Sequence, residues 1–159
     1  MRKMMNAEIM EHDIKLRQMG AEVYVINSKM CFVVFLIGST EIAYVYNINK
    51  KGRYFLERIK PYPVALREFD KEEDVINIIE IDLEQFKNAT HSHNIDAFIE
   101  INKNFNRSLR KFEDLFLYYN VPKETADAIK SRLADIDEII EAAKETSDRI
   151  YFKKNPDNL

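Results

Sequence analysis

Residues 21–60, AEVYVINSKMCFVVFLIGSTEIAYVYNINKKGRYFLERIK, decide the fold. Inside this stretch Met30 to Ile37 (MCFVVFLI) is an unbroken apolar run of eight residues. It is short, and rich in β-branched and aromatic side chains, which predicts a central strand buried on both faces. Ala21 to Asn27 before it alternates. Glu41 to Ile48 after it places Ile42, Tyr44, Tyr46 and Ile48 on one face, with Ala43 and Val45 on the other. Arg53 to Lys60 alternates again, setting Tyr54, Leu56, Arg58 and Lys60 against Arg53, Phe55, Glu57 and Ile59. Three turn-sized links, Asn27-Ser28-Lys29, Gly38-Ser39-Thr40 and Asn49-Lys50-Lys51-Gly52, join these segments. Parallel neighbours need crossovers of about a dozen residues or more, so links this short predict an antiparallel meander.

Upstream, residues 3–19 read as a helix whose stripe passes through Met5, Ile9, Met10, Ile14 and Met19, with Gly20 as its stop. Downstream, Pro61-Tyr62-Pro63 ends the fourth strand, because proline cannot donate to a ladder. Residues 64–69 (VALREF) fit either a fifth, edge strand or a loop. Asp70, with Glu73 three positions on, has the pattern of a capping box. The helix it opens carries Val75, Ile78, Ile79, Leu83 and Phe86 on one side and runs to about Ala89. Asp82 with Gln85 offers a second start, so this segment is either one helix or a bent pair.

Two matched heptad series fill the rest. Ile95, Phe98, Asn102, Phe105, Leu109, Phe112, Phe116 and Tyr119 are spaced alternately three and four apart. Ala126, Ile129, Leu133, Ile136, Ile140, Ala143, Ser147 and Ile150 repeat that spacing. With Asn120-Val121-Pro122 between them, and Pro122 suited to a first helical turn, they predict an antiparallel hairpin of helices over about 95–119 and 122–150. The interaction seam is then Phe98, Phe105, Leu109, Phe112 and Phe116 on one helix and Ile129, Leu133, Ile136 and Ile140 on the other. Two helices alone bury those phenylalanines poorly, whereas four helices from two protomers bury them well, which predicts a homodimer. Asn102 resembles a seam polar residue that fixes register.

The predicted fold is therefore α+β: an N-terminal helix, a four- to five-stranded antiparallel meander, a helix or pair, and a long C-terminal helical hairpin. The expected division is a sheet domain over residues 1–90, the hairpin over 91–152 and a frayed tail over 153–159, unless the whole packs as one compact domain. At 159 residues the chain buries enough surface to fold without disulfide or metal. Its 46% hydrophobic and 32% charged residues are those of an ordinary globular protein. The longest apolar run is far below the ~20 residues of a membrane span, and the polar residues among 6–13 interrupt any signal-peptide core. The single Cys31 cannot form an intrachain disulfide; the expected location is the reducing cytoplasm.

Little in the sequence carries chemistry. His91 and His93, near Asp96 and Glu100, are weak metal candidates. They chelate only if the segment is extended, since on a helix the two side chains diverge. Cys31 lies in the most apolar strand, where a thiol behaves as a small hydrophobe. Ser39 lacks the context of a hydrolase elbow, and three glycines cannot build a phosphate-cradling loop of either usual kind. Lys50, Lys51, Arg53, Arg58 and Lys60, interleaved with tyrosines, imitate a single-strand nucleic-acid platform. The net charge of −3 argues against that use. Tyr44, Tyr46, Tyr54 and Arg58 are also candidates to line a pocket between the sheet and a helix.

No catalytic residue and no cofactor is predicted. The leading expectation is a non-catalytic interaction or scaffold protein that self-associates through its helical hairpin and meets a further, unidentified protein partner. The alternative is a sensor or carrier of a small molecule bound in a pocket of the sheet. A metal-dependent enzyme using His91 and His93 comes third, and a nucleic-acid partner last.

Overall fold

The computed structural model describes residues 2–27, 30–48 and 52–159. The expected turns at Asn27-Ser28-Lys29 and Asn49-Lys50-Lys51-Gly52 rest on residues 28, 29 and 49–51, outside the described residues, as do the side chains of Met5 and Ile9. The order is α1 (Arg2–Gln18), β1 (Glu22–Asn27), β2 (Met30–Ile37), β3 (Thr40–Ile48), β4 (Tyr54–Lys60), β5 (Val64–Phe69), α2 (Glu72–Ala89), α3 (Ile95–Tyr118) and α4 (Lys123–Thr146). The fold is α+β. All five strands form one sheet in the order β1-β2-β3-β4-β5, and each neighbouring pair is antiparallel. VALREF is thus the fifth, edge strand. The chain divides into two compact units, Met1–Lys103 and Asn104–Leu159.

Local chemistry sets the joints of the first unit. Gly20, at φ 94°, ends α1 in a Schellman motif: its N–H donates to Arg17 O and that of Ala21 donates to Leu16 O. Gly38, at φ 60°, takes the first of two loop positions between Ile37 and Thr40, where a tight hairpin needs positive φ. Helix α2 starts at Glu72, with Lys71 rather than Asp70 at its N-cap and no side-chain cap. It then runs unbroken through Asp82, so the second start does not occur. Asp82 is held by the sheet instead, as described below.

The core lies between one face of the sheet and helices α1 and α2. The sheet contributes Val23, Cys31, Val33, Phe35, Ile42, Tyr44, Tyr46, Leu56 and Phe69. Leu16 comes from α1, and Val75, Ile76, Ile79, Leu83 and Phe86 come from α2. Strand β2 is central but is not buried on both faces. Cys31, Val33 and Phe35 are buried, Phe32 and Val34 are half-buried, and Leu36 is 72% exposed. Both α1 and α2 contribute to the core on the odd-numbered side of β2, and among the described residues of this unit no helix packs a core residue on its even-numbered side. The continuous apolar run therefore reports centrality in the sheet and not two covered faces.

In the second unit, neither the remainder of α3 nor α4 buries any described residue. The seam positions Phe98, Phe105, Leu109, Phe112, Phe116, Leu133 and Ile140 are 37–65% exposed, and Ile129 and Ile136 are half-buried. Phe112 and Phe116 meet as a tilted pair with ring centroids 5.1 Å apart. Beyond α4, Arg149 donates to Tyr151 O and Lys154 O and to Asn155 Oδ1. No helix among the described residues is long and apolar enough to cross a membrane.

Candidate functional site

The sheet register builds two buried polar groups into an otherwise apolar core. On β3, Tyr44 and Tyr46 both point inward. Tyr44 stands opposite Arg58 of β4, and Tyr46 stands opposite Leu56 of β4 and Cys31 of β2.

The first group centres on Asp82. Its Oδ2 accepts a hydrogen bond from the Tyr44 hydroxyl at 2.6 Å, and its Oδ1 accepts one from Arg58 Nη1, also at 2.6 Å. Burial, then the adjacent Asp82 carboxylate, pushes the Tyr44 hydroxyl far above its ordinary pKa, so it stays protonated and donates. The Arg58 guanidinium lies against two neighbouring rings, with Cζ 4.8 Å from the centroid of Tyr62 and 4.7 Å from that of Phe86, the two centroids being 6.4 Å apart. Phe98, in the first turn of α3, meets both rings, at 5.7 and 6.4 Å between centroids. A cation packed against aromatic rings with a carboxylate at its end is well fixed. Arg58 is only 6% exposed, yet its Nε–H finds no hydrogen-bond partner among the described residues. A buried donor left unmet costs about 1–3 kcal/mol. Beside this group opens a groove of about 300 Å³ lined by Arg58, Tyr62, Asp82, Gln85, Phe86, Ala89 and Phe98.

The second group centres on Glu72, 7% exposed at the start of α2. Its Oε1 accepts from the Tyr46 hydroxyl at 2.9 Å, and its Oε2 lies 3.0 Å from His12 Nδ1 of α1. That His12 contact is close enough for an ion pair but is not aligned as a hydrogen bond. Burial pushes the Cys31 thiol above its ordinary pKa, against a smaller lowering by the Tyr46 hydroxyl beside it. The thiol is therefore protonated and poorly nucleophilic. A wider groove of about 490 Å³ lies outside, lined by Glu11, His12, Tyr54, Asp70, Lys71, Glu72 and Glu73.

The four residues expected at one pocket are thus distributed. Tyr44 and Tyr46 are buried in the core, Arg58 lines one groove and Tyr54 lines the other. The remaining cations of the last hairpin that are described are engaged at the surface: Arg53 with Glu68 and Asp70, and Lys60 with Glu41. His91 and His93 are exposed in the 90–94 connector. No cluster of three or more His, Cys, Asp or Glu side chains able to hold a metal occurs among the described residues. Sequence reasoning missed Asp82, Glu72, Tyr62 and Phe86. The available signal was Asp82 itself, an acid flanked by Ile79, Leu83 and Phe86 on the buried side of α2.

In comparisons with protein families, curated proteins and solved structures, nothing matches this chain.

Proposed function

We propose that this protein is a non-catalytic interaction protein that self-associates through α3 and α4, in a reducing compartment such as the cytoplasm. The observation that carries the reading is the exposed heptad seam. Two helices of 24 residues each carry a repeating row of Phe, Leu and Ile and bury none of them within the chain. In proteins most helical stability comes from packing of an apolar face and not from propensity. Contiguous exposed apolar surface of that extent is uncommon on a protein that acts alone. A second copy is the best-matched cover, because the 3-4 spacing on both helices suits knobs-into-holes packing in a four-helix arrangement.

Native mass spectrometry with light scattering tests this. The wild type should be a dimer at micromolar concentration, and a Phe105→Glu/Leu109→Glu variant should be a monomer with an intact sheet. A wild type that stays monomeric up to about 100 μM, where even a weak specific dimer would be populated, removes the proposal.

A second reading, a sensor or carrier of a small molecule, is favoured by the groove at Arg58, where a buried cation keeps a donor that is unmet among the described residues.

A further inference from the structure

We infer that the Arg58 groove binds a small organic carboxylate with an aromatic or similarly flat apolar body. This rests on the second reading above, and it is independent of self-association.

The fixed geometry of the guanidinium carries the inference. Arginine presents its donors as a planar fork with an end, made by the two terminal nitrogens, and a side edge that includes Nε. Asp82 occupies Nη1, so the protein has used the end. The rings of Tyr62 and Phe86 pack against the guanidinium at 4.8 and 4.7 Å. What remains is the side edge, whose Nε–H is buried and unpartnered among the described residues. Side-on pairing through that edge is the bidentate arrangement that carboxylates accept.

The charge pattern selects an acid over a base. Among the described residues Asp82 is the only carboxylate lining this groove, and both its oxygens already accept hydrogen bonds, from Tyr44 and Arg58. It offers little to a cation. The aromatic faces of Tyr62 and Phe86 that would attract a ligand cation are already turned to Arg58. The rest of the lining, Phe98, Ala89 and the Gln85 side chain, provides an apolar wall with one amide. A volume of about 300 Å³ is at the small end of ligand sites and suits a single ring with a short acid arm. Because Nε is itself buried, binding requires the groove wall to open, and Phe98, 42% exposed, is the most exposed ring of that wall.

The test uses the full-length protein and three probes of nearly equal shape: phenylacetate, phenylacetamide and phenethylamine. Proton–nitrogen correlation spectra follow the Arg58 Nε–H and the Gln85 side-chain amide. Phenylacetate should move the Arg58 Nε–H downfield and saturate with a dissociation constant of about 1 mM or tighter. Phenylacetamide should bind at least about tenfold more weakly, since it cannot supply the second anionic oxygen. Arg58→Lys keeps a charge for Asp82 but removes the fork, and should lose the acid preference. If Arg58→Lys does not fold, Phe98→Ala takes its place and should weaken phenylacetate binding severalfold by removing the outer wall.

Equal binding of acid and amide, or saturable binding that leaves the Arg58 Nε–H unmoved, overturns the inference. Saturable binding of phenethylamine in place of phenylacetate overturns the carboxylate class while leaving the groove as a ligand site. If none of the three probes binds, the groove is a structural feature only, and the inference and the sensor reading fall together.

Discussion

Arg58 of β4 and Asp82 of α2 meet at 2.6 Å across the sheet–helix interface, with the Tyr44 hydroxyl on the second oxygen of the same carboxylate. Ion pairs at a surface contribute little, but this one is almost wholly buried, and each member depends on the other. Asp82→Ala strands a cation and a hydroxyl in the core. It should cost about 3–5 kcal/mol, the usual penalty for breaking a buried pair from one side. Replacing the group as a whole, Tyr44→Phe with Arg58→Met and Asp82→Leu, should recover most of that loss, because apolar groups of similar volume need no partners. Urea unfolding midpoints of the single and triple variants decide it. Equal losses in both would show that the paired charges themselves, and not only the penalty of stranding them, hold α2 on the sheet.

Tyr44 and Tyr46 make stability depend on alkaline pH. Burial comes first among the causes that raise both hydroxyls far above the ordinary 10.0, followed by Asp82 for Tyr44 and by Cys31 and Glu72 for Tyr46. In the unfolded chain both ionise near the ordinary value, while in the folded protein they cannot. The unfolded state therefore binds fewer protons above that value, and stability falls as pH rises. The contribution is fully present below about pH 10 and declines above it, by up to about 1.4 kcal/mol per pH unit for each group. Unfolding midpoints measured from pH 9 to about 12 should show this slope, and a Tyr44→Phe/Tyr46→Phe variant should flatten it. Tyrosinate absorbance of the native protein should lack these two groups until the chain unfolds.

Strand β2 offers a sharper contrast between adjacent residues. Phe35 is buried against Tyr44, with ring centroids 6.2 Å apart, whereas Leu36 is 72% exposed. Phe35→Ala should cost about 3–5 kcal/mol through the cavity it leaves. Leu36→Thr should stay within about 0.5 kcal/mol, as for a surface change away from any special feature. Thermal unfolding of the two variants compares them directly. A large loss at Leu36 would mean that another chain covers the outer face of the sheet.

These residues also show what the sequence could and could not reveal. The meander was legible because its side-chain period of two and its short links leave few other arrangements, and the inward face of β3 was legible from Ile42, Tyr44 and Tyr46. Helix α2 was legible from Val75, Ile79, Leu83 and Phe86. The burial of β2 was misread because an apolar run looks alike whether one face is covered or two. Asp82 was read as a capping residue because local pattern treats a carboxylate by its neighbours in the chain. Its partners come from β3 and β4, 38 and 24 positions away. Glu72 was hidden in the same way, since an acid in a first helical turn already has a local explanation. The groove at Arg58 needs Tyr62, Phe86 and Phe98 brought together from a turn and two helices, and no spacing in the sequence encodes that.

The last prediction concerns α3 and α4. Neither helix buries a described residue, so intrachain packing contributes little to holding them against fraying. If a second copy covers the seams, protection of their amides must depend on protein concentration. Association adds about 2.7 kcal/mol at a hundredfold excess over the dissociation constant. Hydrogen exchange at two concentrations should therefore slow markedly across residues 105–146 in the more concentrated sample, while amides of β2 and β3 exchange at the same rate in both. Phe105→Glu/Leu109→Glu should remove the concentration dependence and leave the sheet unchanged. Strong protection of these helices that is indifferent to dilution would place their stabilisation within a single chain, and the seams would then need a different explanation.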